Sequence, residues 1–230
     1  MPNPRLLVPM LLLAAMTALA GCTGRSTLAV QEDADRAFAR GQYAQAAADY
    51  EEFTRRLPGD AGGRYRLGRT YLKLNRPLPA REQLYMAYSQ NPDRDEYVEA
   101  LADALYAAGQ HEEMYRVLRQ RALDRGRPED YLRLAAFAQK VGDADEARQA
   151  LLTAARLDKG RSAKVQLSLA DFYTSIGDRQ NAVQHLRYAA FLAPTDASVQ
   201  DRARALGEVP GPSFAAPPPE NLWRPDEPRP

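Results

Sequence analysis

Only one cysteine, Cys22, and only two histidines, His111 and His185, occur among the 230 residues. A single thiol leaves no partner for an internal disulfide and cannot build a cysteine-based metal site. Histidine is the side chain whose ordinary pKa suits proton transfer near neutrality, and neither histidine has a second histidine or a cysteine at ligand spacing. Charge of one sign is also scarce: 31 Lys and Arg face 30 Asp and Glu, a formal net charge of +1. No global field therefore draws the chain toward nucleic acid or an anionic membrane. Arginine runs such as Arg55-Arg56 have acidic residues close by and read as solvated faces. Phosphate-cradling glycine loops, a G-x-S-x-G elbow and an H-E-x-x-H pair are all missing. Adjacent acidic pairs such as Glu51-Glu52 and Glu112-Glu113 diverge on a helix instead of flanking a substrate. These absences argue against an enzyme, a cofactor, a metal site and a nucleic-acid partner.

What is present is a repeated pair of short amphipathic helices. Residues 61–93 are organised by Leu67, Gly68 and Tyr71 on one helix and by Ala80, Leu84 and Ala87 on the next, closed by Pro92. A small residue beside a large one, once on each helix, is what a tight antiparallel pair requires. Gly68 and Ala80 are expected at the closest approach, with Tyr71 and Leu84 filling the space beside them. Asn75 takes the turn, since it tolerates the left-handed conformation, and Pro77 and Pro79 fall where a helix start accepts proline. A unit at 27–60 carries Ala34, Ala37, Gly41, Tyr43, Ala46, Tyr50, Phe53 and Pro58 in the same phase. A unit at 95–127 carries Leu101, Ala102, Leu105 and Gly109, then Met114 and Arg121 where the pattern prefers small residues, so its second helix is expected to pack less tightly. Units at 128–161 and 163–196 follow, with Leu134, Ala135, Ala138, Gly142, Ala147, Leu151 and Ala154 in one. The other has Leu169, Ala170, Tyr173, Gly177, Ala182, Leu186, Ala189 and Pro194. Residues 197–206 supply a polar last helix.

The spacing resembles the tetratricopeptide repeat, whose unit length is about 34 residues. That resemblance implies an all-α, right-handed superhelix of about five helix-turn-helix repeats with a capping helix, its core continuous through stacking. It also implies that the first helix of each unit lines a concave face where peptides lie. The family's inward positions fall on Tyr65, Arg69, Leu72 and Lys73, then on Glu99, Asp103 and Tyr106. Further along they fall on Leu132, Gln139 and Lys140, and finally on Lys164, Leu167 and Asp171. This is a mixed groove with Tyr65 and Tyr106 as anchors, unlike the clamp of lysine, asparagine and arginine that grips a terminal carboxylate in chaperone-binding members. His111 falls where the first unit has Tyr43 and is expected to pack behind its turn. His185 is expected on the outer face.

At the N-terminus Arg5 precedes an apolar run at 6–20, too short for a confident membrane span and suited to a secretory signal. Leu19-Ala20-Gly21-Cys22 resembles a bacterial lipobox, in which the chain is cut before the cysteine and that cysteine is lipidated. The resemblance makes 1–21 a signal peptide and 22–27 a lipidated polar tether. Thr23 in place of aspartate implies the outer membrane, facing the periplasm. Several acyl chains would anchor stably where one is marginal. From 207 to 230 proline dominates and helical period is lost, so an extended, mobile tail is expected. It carries the single tryptophan, Trp223, beside Leu222: a linear docking motif, a segment that packs back on the repeats, or neither.

The resulting expectation is a membrane-anchored scaffold for protein partners in the bacterial envelope. Lipoproteins of this kind resemble pilotins and assembly factors of type IV and tight-adherence pili, which implies a secretin or other envelope assembly component as partner. An adaptor for peptidoglycan enzymes or exopolysaccharide machinery is the alternative.

Overall fold

The computed structural model describes residues 24–219. Cys22 with the apolar run before it, and Leu222 and Trp223, lie outside the described residues.

Among the described residues there are eleven helices and no strand: α1 Thr27–Ala39, α2 Tyr43–Arg56, α3 Ala61–Lys73, α4 Pro77–Gln90, α5 Asp95–Ala107, α6 His111–Arg125, α7 Pro128–Val141, α8 Ala144–Asp158, α9 Ala163–Ser175, α10 Arg179–Leu192 and α11 Ala197–Ala205. Local chemistry sets their ends. Ser26, Asp60, Asp143, Asp178 and Asp196 each accept a hydrogen bond from a backbone N–H of the helix they precede, which satisfies an orphan donor of the first turn. Pro77 and Pro128 open α4 and α7, where no N–H is needed. The turn inside each pair needs a left-handed residue: Gly41 supplies it at φ 74° and Asn75 at φ 53°. Tyr43 then closes edge-on over Phe38, centroids 5.3 Å apart, and His111 stacks on Tyr106 at 5.6 Å behind the corresponding turn.

Each helix packs on its neighbours in sequence, and consecutive first helices of the pairs (α3, α5, α7 and α9) also touch. The result is an all-α solenoid of helix-turn-helix repeats. Its core is built from the recurring small residues Ala34, Ala102, Ala135 and Ala170 on first helices and Ala46, Ala80, Ala147 and Ala182 on second helices, all at most 1% exposed. Gly68 takes the small position on α3: a Cβ there would lie 2.5 Å from Leu84 Cγ and 3.2 Å from the Ala80 carbonyl oxygen.

The third pair differs. Met114, fully buried, replaces the small residue of α6, and α5 and α6 approach each other least of the five pairs. Its Arg121, the other departure from a small residue on α6, enters a buried ionic cluster that the sequence pattern does not reveal. Arg121, 3% exposed, donates through Nε to Asp130 at 2.9 Å, and also reaches Asp95 and the Pro92 carbonyl. Asp130, 1% exposed, is further held by Arg127 Nε at 3.0 Å and Arg133 Nη1 at 2.8 Å. Burial disfavours its ionisation, but the Arg127 and Arg121 guanidiniums outweigh that and keep its carboxyl below the usual carboxylate range.

Two segments differ from expectation. Residues 25–27 are fastened to the array instead of forming a free tether. The Arg25 guanidinium bridges Asp33 (3.1 Å), Asp49 (2.8 Å) and Glu52 (2.7 Å), and Arg56 donates to the Arg25 carbonyl at 2.6 Å. Residues 207–219 turn back over the last repeat instead of extending away. Phe214, 7% exposed, enters a cluster with Leu186, Ala190 and Val199. Arg187 Nε donates to the Phe214 carbonyl at 2.9 Å, and the Ala216 N–H donates to the Arg187 carbonyl at 3.1 Å. Phe214 supplies the apolar area that holds the segment, and the ion pair of Glu208 with Arg179 at 2.8 Å adds a second tie.

Candidate protein-binding surface

The first helices α3, α5, α7 and α9 carry all the inward positions read from the sequence, and much of that face is tied to itself. Arg133 Nε donates to Glu99 at 2.7 Å, joining α7 to α5. Lys140 Nζ reaches Asp103 at 3.1 Å, and the Tyr106 hydroxyl donates to the Lys140 carbonyl at 3.2 Å across the same step. Arg202 of α11 grips both oxygens of Asp171, at 2.7 and 3.0 Å. Leu72 packs on the main core and Leu167 on the C-terminal cluster. Glu99, Asp103, Tyr106, Lys140 and Asp171 thus stitch successive repeats together. The carboxylates of Glu99, Asp103 and Asp171 are consequently neutralised from within, because each faces a cation about one repeat further on.

Leu132 packs on the main core, the Gln139 side chain donates to the Ala135 carbonyl at 3.3 Å and Lys164 stands exposed on α9, whereas Tyr65, Arg69 and Lys73 lie together toward the N-terminal end. Arg69, exposed on α3, lies over both the Phe38 ring (5.6 Å) and the Tyr65 ring (5.4 Å). Tyr65 in turn lies 4.8 Å from Tyr97, tilted 32°. Arg66 stands 3.6 Å from Asp35, which accepts the Tyr50 hydroxyl proton; burial and that hydrogen bond push the Tyr50 pKa up. Asp35, Phe38, Tyr50, Arg66 and Arg69 enclose a hollow of about 150 Å³, and Lys73 stands exposed one turn beyond Arg69 with no ion-pair partner among the described residues. The inward positions read from the sequence include none from the first unit, and so miss Asp35 and Phe38; Arg66 of the second unit is missed as well. Their signal is their place on the inner face of α1 and the start of α3, beside residues already singled out. An exposed guanidinium stacked between aromatic rings is a common anchor for a partner's carboxylate or aromatic side chain.

His185 lies on the second-helix side of the array but is not fully exposed there. It is half-buried at a groove of about 950 Å³ bounded by α8 and α10 and floored by α9. Its Nδ1 lies 2.8 Å from Oε1 of the buried Gln166, and its ring stacks on Tyr173 at 5.4 Å and meets Tyr188 edge-on at 5.7 Å. Desolvation lowers its pKa to about 4. Among the described residues, no group of three His, Cys, Asp or Glu side chains is placed to hold a metal ion.

No curated sequence relative matches the chain. The tetratricopeptide repeat family profile matches residues 37–104 and again 132–197, together more than half of the chain. Three solved structures share the architecture. The tetratricopeptide protein TTC0263 of Thermus thermophilus is 22% identical, with 79% of this chain and 98% of that one covered at a TM-score of 0.50. MamA of Desulfovibrio magneticus RS-1 is 16% identical, with 76% and 99% covered and a TM-score of 0.55. PilF of Pseudomonas aeruginosa is 18% identical, with 79% and 82% covered and a TM-score of 0.52. Paired helices in constant phase, small residues at each crossing and the two profile matches lead to one assignment: the chain belongs to the tetratricopeptide repeat family, whose helical arrays are scaffolds for protein–protein interaction.

Proposed function

We propose that this scaffold is a lipid-anchored protein of the bacterial envelope, held at the outer membrane facing the periplasm, that presents its first-helix face to a protein partner. On this reading it serves assembly or localisation of a pilus or secretion complex, with a secretin or another envelope component as partner. Binding, not catalysis, is its mechanism. The observation that carries the proposal is the Leu19-Ala20-Gly21-Cys22 sequence directly after an apolar run, with the chain's single cysteine at the cleavage position.

The N-terminal attachment supports it. Arg25 is already fixed on α1 and α2, so only three residue steps separate a lipidated Cys22 from the folded array. Fully extended, these span about 10 Å. A bilayer-embedded Cys22 would hold the first repeat close to the headgroups, with Leu28, 64% exposed, on its surface. Such restraint raises the local concentration of the binding face for membrane-bound partners. The partner contacts assigned here are Arg69, Tyr65 and Lys73 with Phe38 and Arg66, the part of the face least consumed by repeat-to-repeat pairing.

The test is Cys22→Ser in the native host with metabolic lipid labelling and membrane fractionation. The variant is expected to lose label and to leave the outer-membrane fraction; retained label would overturn the anchor. In-cell crosslinking of the parent, followed by identification of attached proteins, then separates pilus or secretion components from peptidoglycan or exopolysaccharide machinery.

A further inference from the structure

The groove of about 950 Å³ between α8 and α10 is lined mainly by second-helix residues and has no role in the scaffold's first-helix face. Leu152, 43% exposed, Tyr173, Tyr188 and His185 form its apolar and aromatic walls; Arg148 and Arg156 stand at its edge. The Tyr173 and His185 rings lie parallel within 5°, and Tyr188 stands at 84° to His185. This makes an open aromatic corner, the geometry in which a further ring finds both a face and an edge.

The chain itself is aimed at this corner. After Phe214 the backbone is pinned to α10 through Arg187, Pro218 is buried, and Pro219 lies on the rim of the groove. Trp223 follows four residues later, a reach of about 13 Å when extended. Three consecutive prolines, Pro217 to Pro219, restrict the approach and reduce the entropy lost on docking. Charge agrees as well. Residues 220–230 hold Glu220, Asp226 and Glu227 against Arg224 and Arg229. The groove edge holds Arg148, paired with Asp145 at 3.0 Å, and Arg156, with no carboxylate partner among the described residues.

We propose that Leu222 and Trp223 of the same chain, which lie outside the described residues, occupy the α8–α10 groove, with the Trp223 indole against Tyr188 and His185 and Leu222 against Leu152. The tail is then an intramolecular plug of the second-helix side, and the surface open to partners is the opposite, first-helix face.

Trp223 is the single tryptophan, so its fluorescence reports the plug without a label. The full chain is compared with Leu152→Glu, a substitution at an exposed position, with circular dichroism melting to verify that the repeats remain folded. The expected result is a blue-shifted emission in the parent, quenched by acrylamide severalfold less than in Leu152→Glu and unchanged on dilution. Equal, high quenching in both chains would overturn the proposal. Shielding that disappears on dilution would instead place the tail in a second copy, and shielding indifferent to Leu152→Glu would place it elsewhere; either outcome refutes the assignment.

Discussion

Gly68 differs from its counterparts Ala34, Ala102, Ala135 and Ala170 by a single carbon, and that carbon has no room. Two effects oppose each other when it is added. Alanine is favoured over glycine in a helix by up to about 1 kcal/mol, while overpacking a buried crossing costs about 1–3 kcal/mol. The obstructing atoms decide the sign. Leu84 Cγ sits near the stiff stem of its side chain, and the Ala80 carbonyl belongs to the backbone of α4, so neither swings aside. Gly68→Ala is therefore expected to destabilise at the low end of that range and Gly68→Leu more strongly, read from urea midpoints at constant slope; an unchanged midpoint would mean that α3 and α4 have slack. His185 gives a second residue-scale prediction. Its folded pKa of about 4 lies below the ordinary 6.5. Above pH 6.5 it is neutral whether the chain is folded or not. As pH falls from 6.5 toward 4 the unfolded chain takes up a proton that the folded site refuses, so stability drops with a slope approaching 1.4 kcal/mol per pH unit at most, and no further below the folded pKa. His185→Gln, which retains a donor for Gln166 but cannot titrate, is expected to flatten thermal stability between pH 6.5 and 5, where few carboxylates titrate.

The elements show why most of the fold is legible in the sequence and some of it is not. Small-beside-large periodicity is a local signal, and it places Gly68 against Ala80 and Leu84 because steric fit at a crossing depends on few atoms. Met114 and Arg121 break that signal visibly, so a looser third pair can be read, but not what holds it. The partners of Arg121 come from three places in the chain, Pro92, Asp95 and Asp130, and meet only because α5, α6 and α7 converge. The same limit hides the fastening of residues 25–27 and of Phe214, since composition reports polarity or proline content and not a distant guanidinium or an apolar hollow. The face residues Glu99, Asp103 and Asp171 read as ligand contacts for a related reason: a charge one repeat away is some thirty positions off in sequence and cancels them. The buried cluster can be tested as a unit. Removing one partner of a buried ion pair leaves the other charge unmatched and costs about 3–5 kcal/mol, whereas an apolar side chain of similar length fills space without restoring charge. Asp130 retains Arg127 and Arg133 after such a change, so the loss is expected near the lower bound for Arg121→Ala and smaller for Arg121→Met. Calorimetry of the two variants ranks them; an Arg121→Met chain less stable than Arg121→Ala would mean that volume is not what the third pair lacks.

At the scale of the whole molecule, the two long faces of the solenoid have different chemistry. Along the middle and C-terminal first helices the charges are spent on one another, Arg133 to Glu99, Lys140 to Asp103 and Arg202 to Asp171. Such exposed pairs contribute little individually to stability, commonly under about 1 kcal/mol, but together they fix the angle between repeats and leave few unmatched groups for a partner. At the N-terminal end, nearest Cys22 in sequence, Arg69 and Lys73 stand exposed without carboxylate partners among the described residues. A partner that is negatively charged or rich in aromatics should therefore engage the end of the array next to the anchor, where tethering brings it closest to other membrane components. Reversing both charges, Arg69→Glu with Lys73→Glu, removes the stacked guanidinium while changing only surface positions, so thermal unfolding is expected within about 0.5 kcal/mol of the parent. Crosslinked or co-purified partner should fall severalfold, and the parent's capture should weaken as salt is raised, since exposed charges are screened within about 8–10 Å at physiological ionic strength. The matching double change at the stitched positions, Asp103→Lys with Lys140→Asp, exchanges the two charges in place. It is expected to leave capture unchanged. If that swap abolishes capture while Arg69→Glu with Lys73→Glu does not, the partner sits on the middle repeats and breaks the Lys140–Asp103 stitch on binding.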